Sequence, residues 1–383
     1  MMFRAAYTLT AAVIGACGAI LLPPRAPASP TLLHGQAPIN GPILVIDQRG
    51  ERGSQVQIGA GHDEILAVRD QNGATPRTFR VLVGGLTVPC CGLGGLAPSP
   101  RGRYVAFSQE AGGPSGPGMP GKRTEGLWLT TSAGTTPSRL LLPPTSRLGD
   151  PPSIGAVSWS PDRYTLAYAV NVLSDASVAA EALANTGIWL SRYDRPRPRL
   201  VVSAARLERV LPAPAASFRG FLPVITALSW APDGRTLAVS VQYSPTNGFA
   251  SAVLVADVVS GAVRVVALGA GDAAFAAGTA RLAYVTTGLR GPSGASLHIG
   301  TASGQTARIL APAQGSGGSI SSPAWSPDGR AIAYLVANPT DRFMTLRTVD
   351  VATGKTHTIL AANERGLPHG GYFVRLAWSP AAT

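Results

Sequence analysis

Three segments of the chain are near-copies of one another. Trp159-Ser160-Pro161-Asp162 leads into Leu166-Ala167-Tyr168, Trp230-Ala231-Pro232-Asp233-Gly234 into Leu237-Ala238-Val239, and Trp325-Ser326-Pro327-Asp328-Gly329 into Ile332-Ala333-Tyr334. Weaker copies open at Pro98-Ser99-Pro100-Arg101-Gly102 and at Phe275-Ala276-Ala277-Gly278, and a further start stands at Trp378-Ser379-Pro380. Internal repetition restricts a chain to architectures made by stacking one unit, before any single residue points to a chemistry.

Each copy has a mechanical reading. Proline presets φ for the second turn position, aspartate bonds nearby backbone amides, and glycine accepts a conformation that other residues resist. The segment after the turn, such as Ala331-Ile332-Ala333-Tyr334-Leu335-Val336, is of strand type and apolar on both faces, which suits a strand covered from two sides. A second hairpin follows in each unit, as in Leu254-Val255-Ala256-Asp257 turning at Ser260-Gly261 and returning through Val263-Arg264-Val265-Val266. Four short strands per unit is the content of one propeller blade. Equivalent turn positions lie 71 residues apart from Ser160 to Ala231, then 45 to Ala276, 50 to Ser326 and 53 to Ser379. Blades of about 40–50 residues fit this period. Gly/Pro-rich inserts at 111–124 and polar or basic ones at 191–223 are expected as surface loops.

The ends of the repeat region predict closure. The strand over 372–378 lacks following partners, and strands near 43–47 and 65–68 lack a Trp-Ser-Pro start. One blade built from both ends would hide the exposed edges. The expectation is an all-β, six-bladed β-propeller over 43–383, with seven blades as the alternative if 43–59 belongs to a separate blade.

The W-S-P-D-G-R-x-I-A-Y pattern at 325–334, followed by hairpins such as the one opening at Ile188-Trp189-Leu190, resembles the WD40-like repeat of TolB-type periplasmic propellers. The resemblance covers nearly everything beyond residue 42. It implies a six- or seven-bladed propeller of an exported kind that often serves as a binding scaffold. It does not extend to an additional α/β domain ahead of residue 43.

Net charge is +12, with Lys122 and Lys355 as the only lysines. Attraction to anionic lipid, wall polymer or nucleic acid is one reading; a composition biased toward arginine is the other. The arginines follow no nucleic-acid motif, so nucleic acid is not expected as a partner. The one dense run, Arg192, Arg195, Arg197, Arg199, Arg206 and Arg209, reads as a solvated loop.

At the N-terminus, Arg4 precedes an uncharged stretch over 5–22, then Pro23-Pro24-Arg25 and Ala26-Pro27-Ala28-Ser29. That order of basic, apolar and small residues predicts export, with 1–28 as signal or anchor and 29–42 as linker. Cleavage after Ala28, lipidation at Cys17 and retention as a membrane anchor all remain open. Cys90 and Cys91 are adjacent. In an oxidising compartment they can close a vicinal disulfide, or they remain two thiols.

The search for chemistry yields little. His34, His62, His298, His357 and His369 are scattered, without ligand spacing, and no G-x-S-x-G or phosphate-binding fingerprint occurs in context. No cofactor, metal or catalytic residue is expected. Asp162, Asp233 and Asp328 invite a calcium reading, but their identical turn position favours hydrogen bonding within the turn. Trp159, Trp230 and Trp325 are expected to pack between blades, and Pro161, Pro232 and Pro327 to shape the turns. The expected function is an exported binding scaffold that engages a protein or cell-envelope component through its loop face or channel mouth, with membrane association through the N-terminus. The alternative is a lactonase- or lyase-like propeller enzyme with its site at the central channel.

Overall fold

The computed structural model describes residues 40–49, 62–68, 77–79, 82–83, 86–87, 93–109, 126–132, 139–142, 153–171, 184–212, 223–244, 250–286, 294–305, 308–311, 318–337, 344–360 and 372–381. In chain order the strands are β1 (Asn40–Arg49), β2 (His62–Val68), β3 (Arg77–Phe79), β4 (Leu82–Val83), β5 (Leu86–Thr87), β6 (Leu93–Pro98), β7 (Tyr104–Gln109), β8 (Gly126–Thr131) and β9 (Arg139–Leu142). They continue with β10 (Ser153–Trp159), β11 (Thr165–Asn171), β12 (Gly187–Arg192), β13 (Arg199–Ser203), β14 (Val224–Trp230), β15 (Thr236–Tyr243), β16 (Ala250–Asp257), β17 (Val263–Leu268) and β18 (Ala270–Phe275). The last are β19 (Arg281–Thr286), β20 (Ser296–Thr301), β21 (Arg308–Ala311), β22 (Ser319–Trp325), β23 (Ala331–Ala337), β24 (Met344–Asp350), β25 (Thr356–Leu360) and β26 (Tyr372–Pro380).

These strands form six four-stranded antiparallel sheets and one small ribbon, β4–β5. Blades 1 to 5 are β6–β9, β10–β13, β14–β17, β18–β21 and β22–β25, each a run of consecutive strands. Blade 6 takes β26 as its first strand and β1, β2 and β3 as the outer three. In it Ile43 stands opposite Trp378, Leu44 opposite Ala377 and Val45 opposite Leu376. The first strands of successive blades pack on one another in a closed circuit, β6, β10, β14, β18, β22, β26 and back to β6. The chain is therefore a six-bladed β-propeller closed by its two ends, and β1 belongs to no seventh blade.

The core is divided into six apolar clusters, one between each pair of neighbouring blades. Strand β1 shows why the strands are apolar throughout. Its Ile43 and Val45 pack with Leu335 and Leu346 of blade 5, while Leu44 and Ile46 pack with Val105 and Phe107 of blade 1. Side chains alternate between the two faces of a strand, so a strand sandwiched between sheets needs apolar residues at every position. The 191–223 insert holds more order than a loop: β13 is followed by a short helix, α1 (Ala204–Glu208), whose Ala204 and Leu207 are buried.

Candidate functional site in the central channel

The first strand of every blade carries a register irregularity a few residues before the repeat's Trp-Ser-Pro position. A bulge re-aims the side chains beside it, and propeller channels are lined by these strands. Three residues before the Trp, Phe or Pro of each repeat stand Gly95, Ala156, Ala227, Asp272, Ser322 and Arg375, in blades 1 to 6 respectively. Three blades thus offer small residues and three consecutive blades offer polar ones.

The polar three meet. Arg375 Nη1 lies 3.2 Å from Asp272 Oδ1 as an ion pair, and its Nη2 donates to the Thr226 carbonyl at 3.0 Å. Thr226 is in β14 of blade 3, diametrically across the ring from blade 6, so the guanidinium bridges the channel. The second carboxylate oxygen of Asp272 accepts the Ser322 backbone N–H at 2.9 Å. Asp272 and Ser322 both adopt positive φ, +49° and +51°. Non-glycine residues in that region are strained, and such strain concentrates where a structure holds groups for use. The Arg375 and Asp272 side chains keep 30% and 21% of their surface exposed. A guanidinium fixed between a carboxylate and a carbonyl retains spare donors, which makes this bar a polar anchor for acceptor groups entering the channel.

Buried side chains knit the channel wall together. Ser108 bridges Gly95 and Gly155, Asn171 exchanges two 3.0 Å bonds with Ile225, and Ser240 accepts the Ala273 N–H at 2.8 Å. Each link joins the second strand of one blade to the first strand of the next.

The turn residues singled out in the sequence lie away from the channel bar. Asp162 accepts the Tyr164 and Thr165 amides at 2.8 and 2.9 Å and the Thr165 hydroxyl at 2.7 Å. Asp233 repeats this set with Arg235 and Thr236, and Asp328 accepts from Ser326 Oγ, the Arg330 amide and Asn40 Nδ2. Burial works to raise each of these three carboxyls, but the hydrogen bonds outweigh it and hold them below the usual carboxylate range. Trp159, Trp230 and Trp325 are buried between blades. Trp159 and Trp325 donate from Nε1 to the Ala97 and Ala274 carbonyls of the preceding blade. Pro161 is exposed, Pro232 is half-buried and Pro327 is buried. Cys17, Cys90 and Cys91 lie outside the described residues.

His298 is half-buried, stacked on Tyr284 at 5.5 Å with Nε2 3.1 Å from Thr286 Oγ1, and burial lowers its pKa. Among the described residues no three His, Cys, Asp or Glu side chains gather at a metal-binding distance. The channel group was missed by motif search because its members are 50 and 53 residues apart. Aligning the repeats and reading down one column would have found it.

No protein-family model matches the chain, and no curated protein matches it. Solved structures do. TolB from Acinetobacter baumannii superposes with a TM-score of 0.56 at 15% identity over 89% of this chain and 67% of that one. A chain of the Nidogen/Laminin complex gives 0.55 at 12% identity, covering 90% of this chain and all of the other. A TolB from Agrobacterium tumefaciens gives 0.52 at 13% identity over 87% and 91%. At such identities the likeness is one of fold.

Proposed function

We propose that the protein is an exported, extracytoplasmic propeller scaffold that binds a protein or cell-envelope component at its channel mouth and performs no reaction of its own. The Arg375–Asp272 bar supports this reading: a part-exposed, pre-positioned charge pair spans the channel, contributed by equivalent positions of different blades. The apolar stretch over 5–22 supports the compartment.

The test is capture of partners from a cell-envelope extract by the tagged full chain, beside the double variant Arg375→Gln/Asp272→Asn. Removing a charge-assisted contact weakens binding by roughly tenfold or more. The reading expects partners retained by the wild type and depleted by a variant whose melting temperature shows it is folded. Equal capture by both removes the channel from the function. Turnover of a small molecule by the purified protein, without capture, replaces the scaffold with the enzyme. Mass spectrometry of the mature N-terminus distinguishes a start at Ser29, a lipidated Cys17 and a retained anchor.

A further inference from the structure

We propose that the turn face of blades 1 and 2 docks on an anionic lipid surface. This goes beyond the channel reading and rests only on its extracytoplasmic, membrane-adjacent part.

The turns opening β7, β11 and β13 place Arg101, Arg103, Arg163, Arg192, Arg195 and Arg197 in exposed positions. Within these turns the acids are Asp162 and Asp194. Asp162 is taken up by its own turn, and Asp194 by a two-pronged pair with Arg192 at 2.9 and 2.8 Å. The equivalent turns of blades 3 to 5 carry Arg235, Arg264, Arg281, Arg308, Arg330 and Lys355 against Asp233, Asp257, Asp328 and Asp350, an excess of two over three blades. An arginine-biased composition would spread the excess evenly; among the described turns it is concentrated in blades 1 and 2, where it is four over two blades.

The same sector carries a tyrosine cluster. Tyr193 packs against Trp159 at 5.2 Å, Tyr104 at 5.8 Å and Tyr164 at 6.2 Å, and Arg192 lies 4.8 Å over the Tyr164 ring. Tyr164 is 46% exposed. Tyrosine beside arginine suits a bilayer interface, where an amphipathic ring sits at headgroup depth and the guanidinium meets phosphate. Pro196 and Pro198 limit the backbone freedom of the arginines between and before them. Arg163 stands at φ +71°, where Gly102, Gly234 and Gly329 stand in three other blades. A positive charge is kept there at the expense of backbone ease.

The start of β1 and the uncharged stretch ahead of it in the sequence favour lipid over other polyanions. Asn40 opens β1 beside the end of β26, and its side chain bonds Asp328 in the repeat turn of blade 5. β1 therefore begins on the turn face, the face that carries the arginine sector. Some 17 residues separate Asn40 from the apolar stretch that ends at residue 22.

The experiment is co-sedimentation of the full chain with vesicles of phosphatidylcholine alone, and with vesicles containing a third phosphatidylglycerol. It compares wild type, Arg101→Gln/Arg195→Gln/Arg197→Gln, and the charge-matched Arg209→Gln/Arg330→Gln/Lys355→Gln. Binding to neutral vesicles reads the N-terminal segment alone, so its failure is separate from that of the patch. The expected result is an anionic increment that falls with salt, drops on the order of a hundredfold in the sector variant and persists in the matched one. An equal loss in both triple variants, or no increment on anionic vesicles, overturns the proposal. So does tighter binding of the wild type to single-stranded DNA than to anionic vesicles.

Discussion

Arg163 and the repeat tryptophans show how single residues depart from a shared template. Arg163 holds φ +71° in a turn position that glycine fills in three other blades. A left-handed conformation costs a non-glycine residue about 1–2 kcal/mol, of which the looser unfolded chain of a glycine returns part. Arg163→Gly is expected to stabilise the fold by roughly 1 kcal/mol, read as a higher denaturation midpoint, and an unchanged or lower midpoint would refute the strain argument. The tryptophans separate in another way. Trp325 Nε1 is bonded to the Ala274 carbonyl and its ring lies 4.9 Å under the Arg281 guanidinium, whereas buried Trp230 Nε1 has no partner among the described residues. Trp230→Ala is expected to cost roughly 3–5 kcal/mol through the cavity it leaves. The finer comparison is with phenylalanine. Trp325→Phe forfeits a hydrogen bond and weakens a cation–π contact, together worth roughly 1–2 kcal/mol, a loss that Trp230→Phe does not incur. Matched chemical denaturation of the two variants checks the order.

At the scale of strands and turns, the repeat turn is a small hydrogen-bonding machine with an acid dependence. The Asp162, Asp233 and Asp328 carboxylates cap their turns, and Asp257 and Asp350 cap the hairpins of the third and fourth strands. The Ser260 amide above all holds Asp257 at about 2, with burial opposing and Arg235 assisting; Asp350 is lowered chiefly by the Thr353 amide. A carboxyl lowered by folding contributes stability that is present above its unfolded value, near 3.8, and disappears as pH falls through its folded value. Thermal stability is expected to hold steady above about pH 5 and to fall between about pH 4 and 2. Asp257→Asn should flatten the lower part of that fall; an unchanged acid profile would mean the cap is not formed. These turns were legible in the sequence because each is local, three or four residues long, and written several times. The links between blades were not. Arg264 donates to the Ala302 carbonyl and Arg308 to those of Val351 and Ala352, each reaching from an outer strand to the next blade's hairpin turn. Their sequence separations of 38, 43 and 44 residues, together with ordinary neighbours, left the arginines looking like surplus charge. The channel bar was hidden for the same reason, since Arg375 and Asp272 are 103 residues apart.

For the whole molecule, the physical problem is closure. A ring of sheets leaves no free inner edge only if the last blade is completed, and here the completing strand is β26 laid against β1. The two-ended blade could be read from strands without partners, but the contacts that fasten it could not. Trp378 Nε1 donates to the Gly41 carbonyl at 3.1 Å, and Asn40 and Asp328 exchange bonds of 3.0 and 3.3 Å with the neighbouring blade. Gly41 permits this seam. A Cβ at that position would stand 2.5 Å from the Pro380 carbonyl oxygen and 2.7 Å from that of Ser379, backbone atoms that cannot swing aside. Gly41→Val is therefore expected to pry β26 from β1 and cost about 1–3 kcal/mol or more. The damage should be concentrated at the seam: amide hydrogen exchange would quicken in 43–46 and 375–378 before it does in blade 3, whose four strands are consecutive in the chain. Uniform acceleration in all blades would instead mean that the ring opens as one cooperative unit. A variant exchanging like the wild type would mean that the closing blade tolerates the side chain and that its seam is not where the ring is weakest.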